Sequence, residues 1–331
     1  MWRRKRILVT GGAGFIGSHL TDTLLFRGHS VTVLDNLRNG SKKNLKEAFS
    51  NSKFKFIQGD VLDRKTCRRS VKNTDIVFHL ACLGVRHSLH SPVENHRVNA
   101  EGTLNMLEAA CPMKARFFYV STSEVYGNTS QFPITEKAPT HPTTVYGAGK
   151  LSGEIDTNVY HVQQGLKTTV LRLFNNYGPR AHYEGDAGEM IPRAIVSILY
   201  GRSPVLFGDG SNTRDFFYVK DTARAFLALL DLPGLEGKTL NIGTGVEISM
   251  KRLVDKILLL IGESKMRPKR LAPRPGDLPR LWVDAKKFYT LTRFRPAYSF
   301  EEGLKETIGY YRERMHSENL MSNLEAVNWK K

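Results

Sequence analysis

Thr10-Gly11-Gly12-Ala13-Gly14-Phe15-Ile16-Gly17 directly follows the apolar run Ile7-Leu8-Val9 and opens onto a stretch with helical spacing. A strand that turns through glycines into a helix leaves little choice of fold. Gly11, Gly14 and Gly17 let the backbone turn tightly, approach a pyrophosphate and pack a helix close to a strand. The helix start, with Phe15 and Ile16 in it, offers free N–H groups and a positive dipole end to phosphate. Asp35 closes the next apolar run, Val31-Thr32-Val33-Leu34, with Asn36 beside it. That is about the ~20-residue separation expected of a ribose-binding acid. A carboxylate there favours NAD, because it accepts a bond from a 2′-hydroxyl and repels a 2′-phosphate. Arg38, close by in sequence, weakens that preference slightly.

Strand-like and helix-like segments alternate through the first half. Apolar runs fall at 7–9, 31–34, 54–57, 76–80 and 117–120, with amphipathic stretches at 17–26 and 98–110. This alternation predicts an α/β chain built on a doubly wound parallel sheet covered on both faces. A helix is expected over 145–164 and a strand over 168–174. From Tyr177 the rhythm breaks into glycine- and proline-rich sequence, with one helix expected at 189–200; such sequence reads as substrate-facing structure. A late strand is expected at 240–242 and helices at 250–261 and 300–311, and the polar tail after Arg312 is read as a loosely attached helix. Residues 1–175 are therefore read as a dinucleotide-binding domain that also takes sheet and helix from about 215–245. Residues 176–331 are read mainly as a smaller substrate-binding region.

At 331 residues the chain can bury a substantial core. No apolar run approaches the ~20 residues of a membrane span. The basic start Arg3-Arg4-Lys5-Arg6 precedes only a short strand-like run, so neither export nor a membrane partner is expected. Three widely spaced cysteines, Cys67, Cys82 and Cys111, argue against a disulfide framework and fit a reducing, cytoplasmic setting. His87, His90 and His96 lie close together without cysteine partners at zinc-like spacing; they read as polar positions, and no metal is expected. The net charge of +17 is spread along the chain with no basic helix or reader motif. It reads as a basic surface that attracts a diphosphate, in preference to a nucleic-acid site.

Tyr146 and Lys150 are four apart and share one face of the expected helix, at the C-terminal sheet edge where doubly wound folds bind ligands. A free tyrosine, with a pKa near ~10, is a poor base at neutral pH. A nearby ammonium and an oxidised nicotinamide both favour phenolate, which prepares Tyr146 to take a hydroxyl proton while hydride leaves the same carbon. Thr122, at the same edge, can bond a sugar hydroxyl. Glu124 discriminates further, because oxidation at one carbon needs no carboxylate, whereas removing a proton beside a ketone does.

Together these residues resemble the extended short-chain dehydrogenase/reductase family, in its nucleotide-sugar epimerase and dehydratase branch. The likeness spans nearly the whole chain. It includes Gln58-Gly59-Asp60-Val61, His79-Leu80-Ala81, Asn99 with Gly102-Thr103, Phe174-Asn175, Tyr177-Gly178-Pro179-Arg180, Thr213-Arg214-Asp215-Phe216 and Arg274-Pro275-Gly276-Asp277. The resemblance implies a Rossmann-type fold, bound NAD, a nucleotide-diphosphate sugar as substrate and a homodimer. It implies that Asp60 and Val61 meet the adenine, and that Leu80, Ala81 and Lys150 lie beside the nicotinamide end. Ser123, Asn175, Arg214 and Arg274 would hold the substrate. The shared chemistry starts with oxidation at C4 of the sugar, and its outcome divides the branch. Glu124 favours 4,6-dehydration, although Ser123 stands where many dehydratases carry aspartate. Gly84-Val85-Arg86-His87-Ser88 resembles glucuronate 4-epimerases, which puts 4-epimerisation second and decarboxylation of a glucuronate third. A dinucleotide sensor that binds nucleic acid is the reading from another class, and it would have no need of Thr122, Tyr146 and Lys150.

Overall fold

The computed structural model describes residues 4–273 and 277–324. Seven strands form the central sheet: β1 (Arg6–Thr10), β2 (Ser30–Asp35), β3 (Phe54–Gln58), β4 (Ile76–His79), β5 (Arg116–Thr122), β6 (Thr168–Leu173) and β7 (Lys238–Ile242). Their order is β7-β6-β5-β4-β1-β2-β3, and every neighbouring pair is parallel. The doubly wound sheet expected from the alternating pattern is therefore present. The order reverses between β1 and β4, which opens a crevice beyond the C-terminal ends of those strands.

The principal helices are α1 (Phe15–Phe26), α2 (Gly102–Ala110), α3 (Val145–Gln164), α4 (Met190–Leu199), α5 (Val219–Leu229), α6 (Met250–Ile261) and α7 (Phe300–Met315). Both sheet faces are covered, which explains why β4 and β6 are buried along their whole length. On one face Leu20 and Leu24 of α1 meet Phe226 and Leu229 of α5 in a shared core. There Phe78 stacks on Phe118 at 4.8 Å and on Phe226 at 5.5 Å. On the other face Met106, Leu107 and Ala110 of α2 pack with Cys67, Phe117 and Tyr119. A further core joins Ile191 and Ile195 of α4, Val254 and Ile257 of α6, and Leu304 and Ile308 of α7.

Several boundaries differ from expectation. The helix expected at 98–110 already starts at Pro92, where proline suits the first helical turn, and runs through a π-helical stretch, Arg97–Glu101. That stretch seats the Asn99 side chain on Leu83, accepting from its N–H at 3.1 Å and donating to its C=O at 3.0 Å. α7 continues four residues beyond Tyr311, to Met315. The described residues after it, to Leu324, are held: Leu320 is buried, and its N–H donates to Tyr200 Oη at 3.1 Å. The glycine-rich second half carries short pairings too brief for periodicity to show. Thr213–Asp215 lies between Glu247–Ser249 and Arg280–Leu281, and Val205–Phe207 pairs with Lys269–Leu271. Among the described residues no helix is long and apolar enough to cross a membrane.

Candidate active site

A cavity of about 640 Å³ follows the C-terminal edge of the sheet. Every candidate residue named from the sequence lines it, except Arg274, which lies outside the described residues.

At one end the turn between β1 and α1 forms a cradle that only glycine fits. Gly11 has φ +67°, and a Cβ there would sit 2.8 Å from Ala81 N; a Cβ at Gly17 would overlap Gly11 O. Gly14 caps α1 without a side-chain bond, so the first-turn N–H groups at Phe15 and Ile16 stay open for phosphate oxygens. Asp35 ends β2 with Oδ2 accepting from Ala13 N at 2.9 Å and Oδ1 from Leu37 N at 2.8 Å. It ties the glycine turn to β2 while keeping acceptor capacity on both oxygens. Asn36 Nδ2 donates to Asp60 Oδ2 at 2.9 Å, and Asp60 Oδ1 accepts from Leu62 N at 2.9 Å, next to Val61. Arg38, the cation that weakened the case for NAD, is engaged elsewhere: its Nη2 donates to Glu94 Oε2 at 3.0 Å and lies 3.2 Å from His87 Nε2. The cradle and the acidic ribose corner fit NAD.

Behind the cradle, Thr10 Oγ1 accepts from both Leu80 N and Ala81 N at 3.2 Å. Its own proton therefore goes to His79 Nδ1, 2.7 Å away. His79 Nε2–H then donates to Thr103 Oγ1 at 3.2 Å, and Thr103 donates to Asn99 O at 2.7 Å. This chain fixes one neutral tautomer and holds the Leu80–Ala81 backbone against the cradle.

At the other end β5 delivers Thr122 and the 3-10 turn Ser123–Val125 delivers Glu124. α3 delivers Tyr146 and Lys150 from its first turns. Its N-cap is Thr144, whose Oγ1 accepts from Gly147 N at 3.1 Å, so Val145 takes the first helical position without harm to the start. Thr122 hydrogen-bonds Tyr146, and its Oγ1 also accepts from Glu124 N at 3.2 Å. Lys150 is 2% exposed, with Nζ 4.2 Å from the centre of the Tyr119 ring. Burial lowers its pKa. Burial also raises the Tyr146 phenol well above its ordinary range, and nearby Cys82 adds to the rise, against the Thr122 bond. The phenolate-favouring setting expected from sequence is thus not supplied by the protein alone.

Burial raises the Glu124 carboxyl as well; Arg214 opposes this, while Asp277 and Glu189 reinforce it. The Glu124 side chain makes no hydrogen bond to a described residue. Ser123 is buried beside it. Arg214 Nη2 donates to Asp277 Oδ1 at 2.5 Å, and Asn175 Nδ2 donates to Asp215 O at 3.4 Å. Both border the cavity from the loop-rich half. Sequence reasoning missed the ion pair of Arg86 with Glu189, which spans the cavity wall at 3.1 Å. It also missed Tyr119 as the seat of Lys150. Tyr119 was legible in principle, lying two residues before Ser121 on the strand and so on the same face.

A doubly wound parallel sheet, a glycine cradle for a dinucleotide and a Thr–Tyr–Lys group at the sheet edge define a Rossmann-fold enzyme of the short-chain dehydrogenase type. The chain belongs to the NAD dependent epimerase/dehydratase family, whose model matches residues 7–243. It is 36% identical to a putative UDP-glucose 4-epimerase of Methanocaldococcus jannaschii, over 92% of this chain and 97% of that one. It is 37% identical to a UDP-N-acetyl-alpha-D-glucosaminuronate decarboxylase of Bacillus cytotoxicus, over 94% and 98% of the two chains. The dTDP-glucose 4,6-dehydratase of Streptomyces venezuelae, solved with NAD bound, superposes with a TM-score of 0.89 at 32% identity, covering 94% of this chain and 98% of that one.

Proposed function

We propose that the protein is a nucleotide-sugar 4,6-dehydratase that works through a 4-keto sugar. The observation that carries this reading is Glu124, a carboxyl in the cavity that makes no hydrogen bond to a described residue and whose pKa burial has raised. A stronger carboxylate base there has no task in C4 oxidation and a clear one at C5, once a ketone at C4 acidifies that position. Tyr146 Oη takes the C4 hydroxyl proton, with Thr122 bonding the same hydroxyl. Bound NAD supplies hydride acceptance from C4 and hydride return at C6. Glu124 removes the C5 proton and passes it to the C6 oxygen, which leaves as water; the proton held on Tyr146 returns through solvent to C5. Lys150 orients the nicotinamide-side ribose, while Asn175, Arg214 and Arg274 grip the diphosphate, where guanidinium forks suit phosphate oxygens.

The second reading is C4 epimerisation, favoured by Ser123, which supplies no separate acid for the C6 oxygen. Incubation with NAD and UDP-, GDP-, CDP- and dTDP-hexoses and UDP-glucuronate, followed by product mass, tests both. Loss of one water supports dehydration. An unchanged mass with a new C4 stereocentre by NMR replaces it with epimerisation, and loss of CO₂ replaces it with decarboxylation. Glu124→Gln should lower dehydration about 10²–10⁴-fold while sparing C4 oxidation; wild-type rates would remove Glu124 from the reaction.

The proposed assembly is a homodimer. Ile155, Val159 and Val162 form an exposed apolar stripe on one face of α3, and Val93 and Leu104 are exposed on the adjoining 92–110 helix. Two such helix pairs packed across a two-fold axis would cover the stripe.

A further inference from the structure

His87 and His90 share the short helix Val85–His90, and Asp186 reaches them from the turn Gly185–Ala187. His90 Nε2 lies 2.8 Å from Asp186 Oδ2. Ligand-competent atoms of His87, His90 and Asp186 all lie within 4.8 Å of one another. His87 is 5% exposed, and its Nδ1 is buried with no hydrogen-bond partner. Its other ring nitrogen, Nε2, lies between two groups, 3.3 Å from Glu94 Oε2 and 3.2 Å from Arg38 Nη2. Arg38 can only donate, so a metal at Nδ1 selects the other tautomer, in which Nε2–H turns to Glu94 and the lone pair lies on Nδ1, which is how metal-bound histidines are commonly oriented. The Arg38 charge beside the ring is balanced by Glu94, with which it pairs.

We propose that His87, His90 and Asp186 form a binding site for Zn²⁺ or a similar divalent transition ion, and that the ion latches the 182–189 segment onto the Val85–His90 helix. Two imidazoles and a carboxylate suit Zn²⁺, Ni²⁺ or Co²⁺ and are a poor match for Ca²⁺ or Mg²⁺. Bonds of about 2.1 Å in a tetrahedron place ligand atoms roughly 3.3 Å apart, with the fourth position left to water. The His90–Asp186 pair already lies within that spacing, and His87 closes the set by a side-chain shift on the order of an ångström. The two segments are already joined without a metal: Arg86 Nε donates to Asp186 O at 2.9 Å, and Arg86 Nη2 to Ala187 O at 3.3 Å. Both segments also line the cavity, through Val85, Arg86 and Leu89 on one side and Asp186, Ala187 and Glu189 on the other. An ion at this point therefore sets how firmly two cavity walls are joined. The third ligand stands 96 residues from His90, which is why the histidine spacing alone gave no metal reading.

The test uses the untagged full chain, stripped of metal, with Zn²⁺ titrated against a chromophoric chelator, and needs no substrate. One equivalent per chain is expected. His90→Ala and Asp186→Asn should each weaken it at least tenfold, and Glu94→Gln by about 10–100-fold. Co²⁺ loaded into the wild-type protein should give the strong visible bands of a tetrahedral N/O site, a readout that does not depend on any variant folding. Zn²⁺ should also slow proteolysis within 182–189 in the wild type and leave folded His90→Ala unaffected. Equal Zn²⁺ affinity in wild type and all three variants, or a weak octahedral Co²⁺ spectrum, overturns the proposal. Because binding is measured without turnover, its failure leaves the dehydratase reading standing, and the reverse holds as well.

Discussion

On the proposed mechanism Tyr146 must release its proton from a site that resists doing so. Burial holds its phenol high, and Lys150 places its ammonium over Tyr119, so the bound cofactor's positive ring is the charge that tips the balance on the proposed mechanism. Tyr146→Phe should therefore lower turnover by about 10²–10⁴-fold with NAD still bound, read by single-turnover absorbance and by equilibrium dialysis. Activity near wild type would assign the base elsewhere. Two buried histidines give a second expectation. Burial pushes His19 and His79 down to about 3, helped by Arg180 and Lys150 respectively. Each is neutral when folded and titrates near ~6.5 when unfolded. The unfolded chain thus binds more protons between about 6.5 and 3, and stability falls as pH drops through that window by about 1.4 kcal/mol per unit per histidine. Urea midpoints at pH 7.5 and pH 5 should differ accordingly, and His79→Gln should flatten the dependence. An equal slope in that variant would exclude His79 as a source. The residues that sequence reasoning found are those whose partners lie nearby in the chain, such as Thr122 with Glu124 and Tyr146 with Lys150. Arg38 with Glu94 and Arg86 with Asp186 are 56 and 100 residues apart, and no local pattern encodes such pairings.

At the scale of elements, α3 is the part whose placement matters most. Glu154, one turn beyond Lys150, accepts from Arg172 Nη2 of β6 at 2.6 Å and from Ser121 Oγ of β5 at 2.5 Å. Both Glu154 and Arg172 are buried, so the pair holds α3, which carries Tyr146 and Lys150, to two strands at once. Gly153, beside it, faces Tyr119 where a Cβ would overlap the phenol oxygen. Replacing one partner leaves the other charge buried alone, and Glu154→Gln should cost about 3–5 kcal/mol, measured by urea unfolding. A loss below 1 kcal/mol would mean that Arg172 finds another partner or water. Long elements such as α1, α3 and the sheet strands were legible because period and glycine punctuation repeat within them. The three-residue strands at 205–207, 213–215 and 247–249 were not, since their order comes from a partner strand and not from their own pattern.

For the whole molecule, the exposed stripe on α3 predicts an oligomer of defined size. Ile155→Asp with Val162→Asp should convert the proposed dimer to a monomer in sedimentation velocity at micromolar concentration; an unchanged dimer would place the interface on another face. The sheet itself closes late. β6 is flanked by β5 on one side, and on the other by β7, which follows roughly seventy residues further along the chain. At ~5–20 residues per second of synthesis, that open edge waits about 3–14 s for its last strand. In that interval the buried strand Thr168–Leu173 presents unpaired backbone to whatever is near. During translation this chain is therefore most exposed to chaperones, and to aggregation with its own copies, when it is already half made.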